Sequence, residues 1–452
     1  MMDRRSFLKS VGVAAAGLAV PSTAPGAKTA KTASDRLNVV LIMVDDLGYH
    51  DLSCYGHPKI KTPVIDQLAR DGIRLTSFYA GATVCTPSRM ALMTGAYPTR
   101  VGWTKGVVGY MIRTDEGLSP KALTMAEIFK SAGYRTGMCG KWHLGDRKPF
   151  LPHRRGFDET CYINKSNNQT RELWRGDELL EKPFKNPLLT EQFTAESIKF
   201  IKANKDKPFF LYIPYTAPHF PVQPHPDWKG KSAFGKYGDV VEELDSRIGD
   251  ILKTLEAEKL DRKTIVVFMS DNGPEPGTKE SLARPYRGRK WSALEGGTRV
   301  PCIFRLPGVI PPGRRSAEII AAIDMLPTLS AVCGIDLKSV SKGSPVIDGV
   351  NVWDTLTGKK GSKHPRKDLL YWHGSQGFQA IRVGDWKLFL DRRGARLKTK
   401  GKGPVLFNLA EDIEETTDVS AKHPDRVKAM EALAKKRLAE IEASVIPMGK
   451  VQ

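Results

Sequence analysis

Two continuous apolar runs in this chain stop in the same way, and that repetition constrains the fold more than any other feature. Val39-Val40-Leu41-Ile42-Met43-Val44 ends at Asp45-Asp46, and Thr264-Ile265-Val266-Val267-Phe268-Met269 ends at Ser270-Asp271-Asn272-Gly273. Runs without polar alternation belong to strands covered on both faces, as in the largely parallel sheet of an α/β protein. In open sheets of that kind, ligands gather at the carboxyl ends of the strands. Three carboxylates and one amide, all oxygen donors, select a hard cation, Ca2+ or Mg2+, over zinc. Taken singly, each pair reads more readily as a helix or turn cap. The match between the two strand ends reverses that preference.

The rest of the chain repeats the α/β pattern. Phe209-Phe210-Leu211-Tyr212-Ile213 is another apolar strand, and Thr62 to Asp71 and Val240 to Leu255 read as helices. In the second helix Val241, Leu244, Ile248 and Ile251 share one side. Residues 37–364 are expected to form a large catalytic domain, whose last segment, 336–365, is Asp/Lys/Ser/Gly/Pro-rich and reads as a surface connection. Residues 365–452 are expected to form a small α+β domain. Its strands are Asp368–Trp372, Gln379–Val383 and Trp386–Leu390, and its helix is Pro424–Ala443. Between them, Arg392 to Lys402 holds six basic residues and reads as a solvated loop.

Residues 1–36 read as an export signal and linker. Arg4-Arg5 precede the short apolar run Val11 to Val20, and small residues follow at Ser22-Thr23-Ala24, a twin-arginine pattern. The run is too short to span a bilayer, and no later stretch approaches that length, so stable membrane insertion is not expected. The expected location is periplasmic or secreted, reached through the twin-arginine export machinery. The chain carries a formal charge of +20, of which the first 36 residues contribute +4. The excess therefore belongs to the folded body. It suits an anionic substrate or polymer, or simply solubility and a lysine-rich tail. Cys54, Cys85, Cys139, Cys161, Cys302 and Cys333 show no paired spacing, and most are expected to be buried singly.

The segment Cys85-Thr86-Pro87-Ser88-Arg89-Met90-Ala91-Leu92-Met93-Thr94-Gly95 reads as a helix beginning at the cysteine. Pro87 fits its first turn and Gly95 its stop. Cys85 would then lie where unpaired N–H groups attract an anion, with Arg89 one turn along. By itself Cys85 is either a thiolate nucleophile of lowered pKa or a plain buried thiol.

The run from Cys85 to Gly95 resembles the signature of the formylglycine-dependent (type I) sulfatases, arylsulfatase-like members of the alkaline phosphatase superfamily. Gly133-Tyr134-Arg135-Thr136-Gly137-Met138-Cys139-Gly140-Lys141-Trp142-His143-Leu144-Gly145 is similar to that family's second signature. Thr216-Ala217-Pro218-His219, Arg287-Gly288-Arg289-Lys290 and Glu295-Gly296-Gly297-Thr298-Arg299-Val300-Pro301 follow in family order. Ala380-Ile381-Arg382 and Asp385-Trp386-Lys387-Leu388 look like the family's small sheet domain. The resemblance implies an alkaline-phosphatase-like large mixed sheet sandwiched by helices, with a smaller C-terminal α+β domain.

It also implies a sulfuric ester hydrolase. Asp45, Asp46, Asp271 and Asn272 become Ca2+ ligands, together with Cys85, which a formylglycine-generating enzyme converts to an aldehyde. The hydrated aldehyde would attack sulfur with the oxygen held by the cation. Arg89 would steady that diol and the carboxylates. Lys141, His219 and Lys290 would hold sulfate oxygens and neutralise the leaving alkoxide. His143 would take the proton of the second hydroxyl, expelling sulfate. The implied substrate is a sulfated small molecule or glycan, with no nucleic-acid partner. A phosphodiester or phosphonate monoester hydrolase of the same superfamily is the alternative chemistry, and a non-catalytic polyanion-binding protein the alternative class. Arg284, Arg287, Arg289 and Arg299 cluster near the lysine motif. They suit either a second anionic group on the substrate or a solvated basic face.

Overall fold

The computed structural model describes residues 36–341, 346–397 and 403–451; the export signal and residues 398–402 of the basic loop lie outside them. Ten strands make one mixed sheet. They are β1 (Asn38–Val44), β2 (Ile73–Leu75), β3 (Arg135–Lys141), β4 (Glu159–Ile163), β5 (Leu173–Arg175), β6 (Glu178–Glu181), β7 (Phe209–Pro214), β8 (Thr264–Ser270), β9 (Cys302–Arg305) and β10 (Arg314–Ser316). Their spatial order is β6-β5-β4-β3-β7-β1-β8-β9-β2-β10. The middle strands β4, β3, β7, β1 and β8 are all parallel.

β1 shows why its polarity does not alternate. Val39, Leu41 and Met43 enter the core on one face of the sheet, while Val40, Ile42 and Val44 enter the core on the other. Helices α1 (Pro63–Arg70), α3 (Leu189–Ala203) and α4 (Gly235–Ala257) cover the second face. On α4 the stripe Val241, Leu244, Ile248 and Ile251 is fully buried, as its spacing requires. The helix extends beyond the expected span at both ends. Helix α2 (Cys85–Thr94) lies on the first face with every residue buried. It ends at Gly95, whose φ of 66° is the left-handed cap that glycine adopts at least cost. Among the described residues, no helix is long and apolar enough to cross a membrane.

The C-terminal unit is an antiparallel sheet of β11 (Asp368–His373), β12 (Gly377–Val383), β13 (Trp386–Phe389) and β14 (Val405–Asn408), with helix α5 (Pro424–Glu442). β14 is an addition to the expected strands. The segment expected as a surface connection instead carries helical turns at Leu337–Val340 and Trp353–Thr357, and it buries Val352 and Leu356 completely. All six cysteines are thiols. Cys139 and Cys161 are not singly placed, however, because they are register partners across β3 and β4.

The small sheet docks on the large one through Glu295, a carboxylate with no exposed surface. Glu295 accepts from Lys387 Nζ at 2.9 Å, Tyr371 Oη at 2.9 Å, Tyr79 Oη at 2.6 Å and Arg299 Nη1 at 3.2 Å. Burial alone would raise its pKa, but Lys387, Arg382 and Arg299 outweigh burial and hold it well below the carboxylate range. The Glu-Gly-Gly-Thr-Arg motif is therefore a structural joint. Removing one partner of such a cluster leaves uncompensated buried charge. Glu295→Ala is expected to cost about 3–5 kcal/mol, read as a lowered unfolding midpoint in urea. A loss below about 1 kcal/mol, the range of exposed ion pairs, would contradict this account.

Candidate active site

Four neighbouring parallel strands deliver their carboxyl-terminal ends to one buried pocket. β1 runs into Asp45-Asp46, β8 into Asp271-Asn272, β3 ends on Lys141, and the turn after β7 carries His219. Parallel neighbours must end on the same side of the sheet, so residues more than 200 positions apart in sequence meet there. Helix α2 brings Cys85 and Arg89, and Lys290 enters from the loop before Glu295.

Charges of opposite sign interleave in the pocket. Lys141 Nζ donates to Asp45 Oδ2 at 2.6 Å, and Lys290 Nζ donates to Asp46 Oδ2 at 2.8 Å. Arg89 donates to Asp271 Oδ2 from Nε at 3.0 Å and from Nη2 at 2.8 Å, and to the Lys141 carbonyl from Nη1 at 2.7 Å. Asn272 Nδ2 donates to Asp46 Oδ1 at 2.6 Å. His219 Nε2 lies 3.6 Å from Asp46 Oδ2. Eight of the ten residues expected at the site are thus joined, Cys85 lies beside Asp45 and Asp271, and the His143 backbone is tied to α2 by Thr86; all are buried.

Whether the donors fit a cation is tested by which atoms are left over. Asp45 Oδ1 and Asn272 Oδ1 are buried with no hydrogen-bond partner, a costly condition for polar oxygens. Ligand atoms of Asp45, Cys85 and Asp271 lie within 4.8 Å of one another, as do those of Asp45, Asp46 and His219. Burial and then the neighbouring Asp45 push the Asp271 carboxyl up despite Arg89. That is the condition of a carboxylate short of positive charge. For Asp45, Lys141 with His219, Arg89 and Lys290 outweigh burial and hold the group well below its ordinary value. An oxygen-rich, carboxylate-dominated set with two orphan oxygens fits a hard divalent ion.

The two histidines are fixed as tautomers by backbone carbonyls. His143 Nε2 lies 3.0 Å from the Val108 carbonyl, so Nε2 carries the hydrogen and Nδ1, buried and without a partner, keeps its lone pair. Burial, with Lys141 and Arg89, keeps this ring neutral. His219 Nδ1 lies 2.6 Å from the Phe220 carbonyl, which turns Nε2 to the pocket. Burial lowers His219 to about 4, and Asp46 and Asp45 only partly offset this.

Burial also raises the Cys85 thiol, against Lys141 and Lys290. The helix start therefore does not produce the low-pKa thiolate that the sequence left open. Three of the four arginines of the cluster are engaged by the protein itself. Arg287 donates to the carbonyls of Glu414, Arg396 and Ala395, and Arg289 to that of Glu275. Arg299 is held by Glu295 and by the ring of Tyr286, and of the four only Arg284 is exposed. Two contributors went unread in the sequence. Glu275 pairs with Lys290 at 3.1 Å, and Thr86 Oγ1 donates to the His143 carbonyl at 2.9 Å while accepting from Val108 N. Glu275 follows the Asp271-Asn272 motif without any spacing signal, whereas Thr86 lay inside a motif and carried no separate role.

Calcium at about a hundred times its dissociation constant is expected to stabilise the metal-stripped protein by about 2.7 kcal/mol, read as a rise in unfolding midpoint. Asp271→Ala should weaken calcium binding in calorimetry by more than the roughly 10–100-fold typical of losing a supporting partner.

A model of the sulfatase family matches residues 37–335. Arylsulfatase A of Homo sapiens is 32% identical over 460 residues, covering 90% of this chain and 89% of that protein. N-acetylgalactosamine-6-O-sulfatase of Bacteroides thetaiotaomicron is 31% identical over 485 residues, covering 88% and 93%. The solved structure of Ps i-CgsB in complex with k-i-k-neocarrahexaose superposes with a TM-score of 0.76 at 29% identity, covering 89% of this chain and 92% of that one.

Proposed function

The chain belongs to the sulfatase family and is a sulfuric ester hydrolase, and on that premise we propose that it desulfates a carbohydrate with a formylglycine made from Cys85 and a calcium ion. The observation that carries this reading is the charge balance around Cys85. Asp45, Asp46, Asp271 and Glu275 face Arg89, Lys141 and Lys290, one negative charge in excess. A divalent ion turns that excess into one positive charge, which a sulfate ester, a monoanion, neutralises. A phosphodiester or a phosphonate monoester is also a monoanion, so the choice of sulfate over those esters rests on the family match. The glycan substrate rests on the relatives, one of which is by name an N-acetylgalactosamine-6-O-sulfatase and another of which was solved with a neocarrahexaose.

Asp45, Asp46, Asp271 and Asn272 would hold the cation, which together with hydrated formylglycine supplies an activated hydroxyl and charge at the sulfate oxygens. The chain's own groups do the rest. Lys141 and Lys290 stand where sulfate oxygens would accept charge-assisted hydrogen bonds, in a water-poor pocket that strengthens them. His219 Nε2 is turned to the site, and the incoming anion favours its protonated form, which can deliver a proton to the departing alkoxide. His143 Nδ1 is buried and keeps a free lone pair, and in this reading it would accept the proton of the second hydroxyl. Arg89 is a positioning residue whose hydrogen bonds go to Asp271 and the Lys141 backbone. The Arg4-Arg5 leader supports export by the twin-arginine route to a periplasmic or extracellular location. The boundary between the catalytic and C-terminal domains is placed at residues 364–365.

The test is mass spectrometry of the tryptic peptide Leu75–Arg89 from protein made with a formylglycine-generating enzyme, together with turnover of sulfated monosaccharides, bis(4-nitrophenyl) phosphate and a 4-nitrophenyl phosphonate monoester. An aldehyde at position 85 and a preference for sulfate esters are expected. An intact thiol in active protein, or faster phosphodiester or phosphonate cleavage, would overturn the reading. Lys141→Ala and His143→Ala are each expected to lower kcat by about 10^2–10^4-fold, in steady-state assays at saturating calcium.

A further inference from the structure

The charged pocket recognises a sulfate group and little else, so substrate choice must come from what surrounds its mouth. The deepest groups, Asp45, Arg89, Lys141, His143, Asp271 and Asn272, are fully buried, whereas His219 and Lys290 each keep 5% exposure and mark the opening. Each of these two residues is followed in sequence by an aromatic residue, Phe220 and Trp291. Phe220 is 40% exposed and stacks on the His219 ring with centroids 4.8 Å apart. Trp291 packs against the cluster of Val84, Cys85 and Val107. Its ring also meets Tyr110 edge-on at 6.1 Å. Tyr110 is 58% exposed and Met111 beside it 46%, so three of the seven exposed large apolar residues among those described stand at this one opening.

The rim is built, not incidental. Trp291 has a φ of 62° and Met111 a φ of 70°, left-handed conformations that cost a non-glycine residue roughly 1–2 kcal/mol. Trp291 is pinned there from both sides, its N–H donating to the Thr83 carbonyl at 3.0 Å and its carbonyl accepting from Arg396 at 2.8 Å. The indole lies against bare backbone, since a Cβ on Gly374 would stand 2.5 Å from its Cε3. The Tyr110 turn is closed by reciprocal hydrogen bonds with Val107 at 2.9 Å and tied to the Gly374 carbonyl through Gly106 N at 2.6 Å. Strain maintained by surrounding contacts is characteristic of ligand clamps.

We propose that Trp291, Tyr110 and Phe220 form an apolar lip that stacks on the pyranose ring bearing the sulfate ester and thereby sets which sulfated molecules are cleaved. The inference rests on the carbohydrate reading above and deepens it. A pyranose presents an apolar C–H face, and rigid aromatic surface binds it at low entropic cost, as aromatic anchors do elsewhere. The sulfate then enters between Lys290 and His219, while the ring stays outside against the lip.

The test uses the formylglycine- and calcium-loaded enzyme with monosulfated galactose, N-acetylgalactosamine and glucosamine. Trp291→Ala and Tyr110→Ala should each raise KM for the best of these sugars about tenfold, the effect of one good aromatic contact. The inhibition constant of inorganic sulfate, which has no ring, should stay within twofold. Trp291→Phe should recover most of the loss. Leu179→Ala, an exposed apolar residue on edge strand β6, is the control. KM values within twofold of wild type in both alanine variants would overturn the lip alone. A changed oligomeric state with unchanged KM would assign the lip to a second copy of the chain and also overturn it. Wild-type cleavage of 4-nitrophenyl sulfate but of no sulfated sugar would overturn the carbohydrate reading and the lip with it.

Discussion

Arg89 has no exposed surface, yet its guanidinium fixes the ends of two strands relative to a third element. It grips Asp271 at the end of β8 with two nitrogens and the Lys141 carbonyl at the end of β3 with a third. Because Arg89 is itself on α2, the same contacts fix the helix that carries Cys85. A fully buried arginine is tolerated only when its donors are satisfied and its charge is met. The carboxylates and the arginine therefore hold each other in place, and the catalytic geometry follows from the balance.

The same physics recurs where the C-terminal sheet meets the body. Glu295 gathers Lys387, Arg299, Tyr79 and Tyr371 in a second buried cluster. Glu415 adds a carboxylate that accepts from Glu295 N at 2.7 Å. This joint lies four residues after Trp291, so the docking of the small sheet and the placement of the rim share one stretch of chain. Several basic residues that raise the net charge are spent inside the molecule, and the formal +20 overstates the positive charge available to a ligand.

Division of labour in the site follows burial. Fully buried groups have their protonation and tautomers fixed by neighbours, as His143 shows by giving Nε2 to the Val108 carbonyl and keeping Nδ1 free. Groups at the opening retain some exposure and are next to aromatic rings, where selectivity among substrates is physically possible. Rim and chemistry meet directly, since the Phe220 carbonyl orients His219 and Trp291 packs against Cys85.

Much of the catalytic domain was legible in residue order, because the signals are local. Continuous apolar runs name buried parallel strands, Pro87 and Gly95 bound a helix, and oxygen-bearing residues after two such strands name a hard-cation site. Strand ends converge whenever parallel strands are neighbours, so the pattern sufficed to bring Asp45, Asp46, Asp271 and Asn272 together. What required the tertiary structure depends on partners distant in sequence. Of the arginines near Lys290, Arg287 is held by carbonyls of the C-terminal unit and Arg299 by Glu295. Cys139 and Cys161 became neighbours only through strand pairing. Tyr110 meets Trp291, and Phe220 covers His219, only through packing. The sequence by itself determined the chemistry, since residue type and period set which groups occur at strand ends. Only the tertiary structure decided which charges remain free and what surrounds the opening, since long-range packing alone determines which side chains are satisfied and which face a ligand.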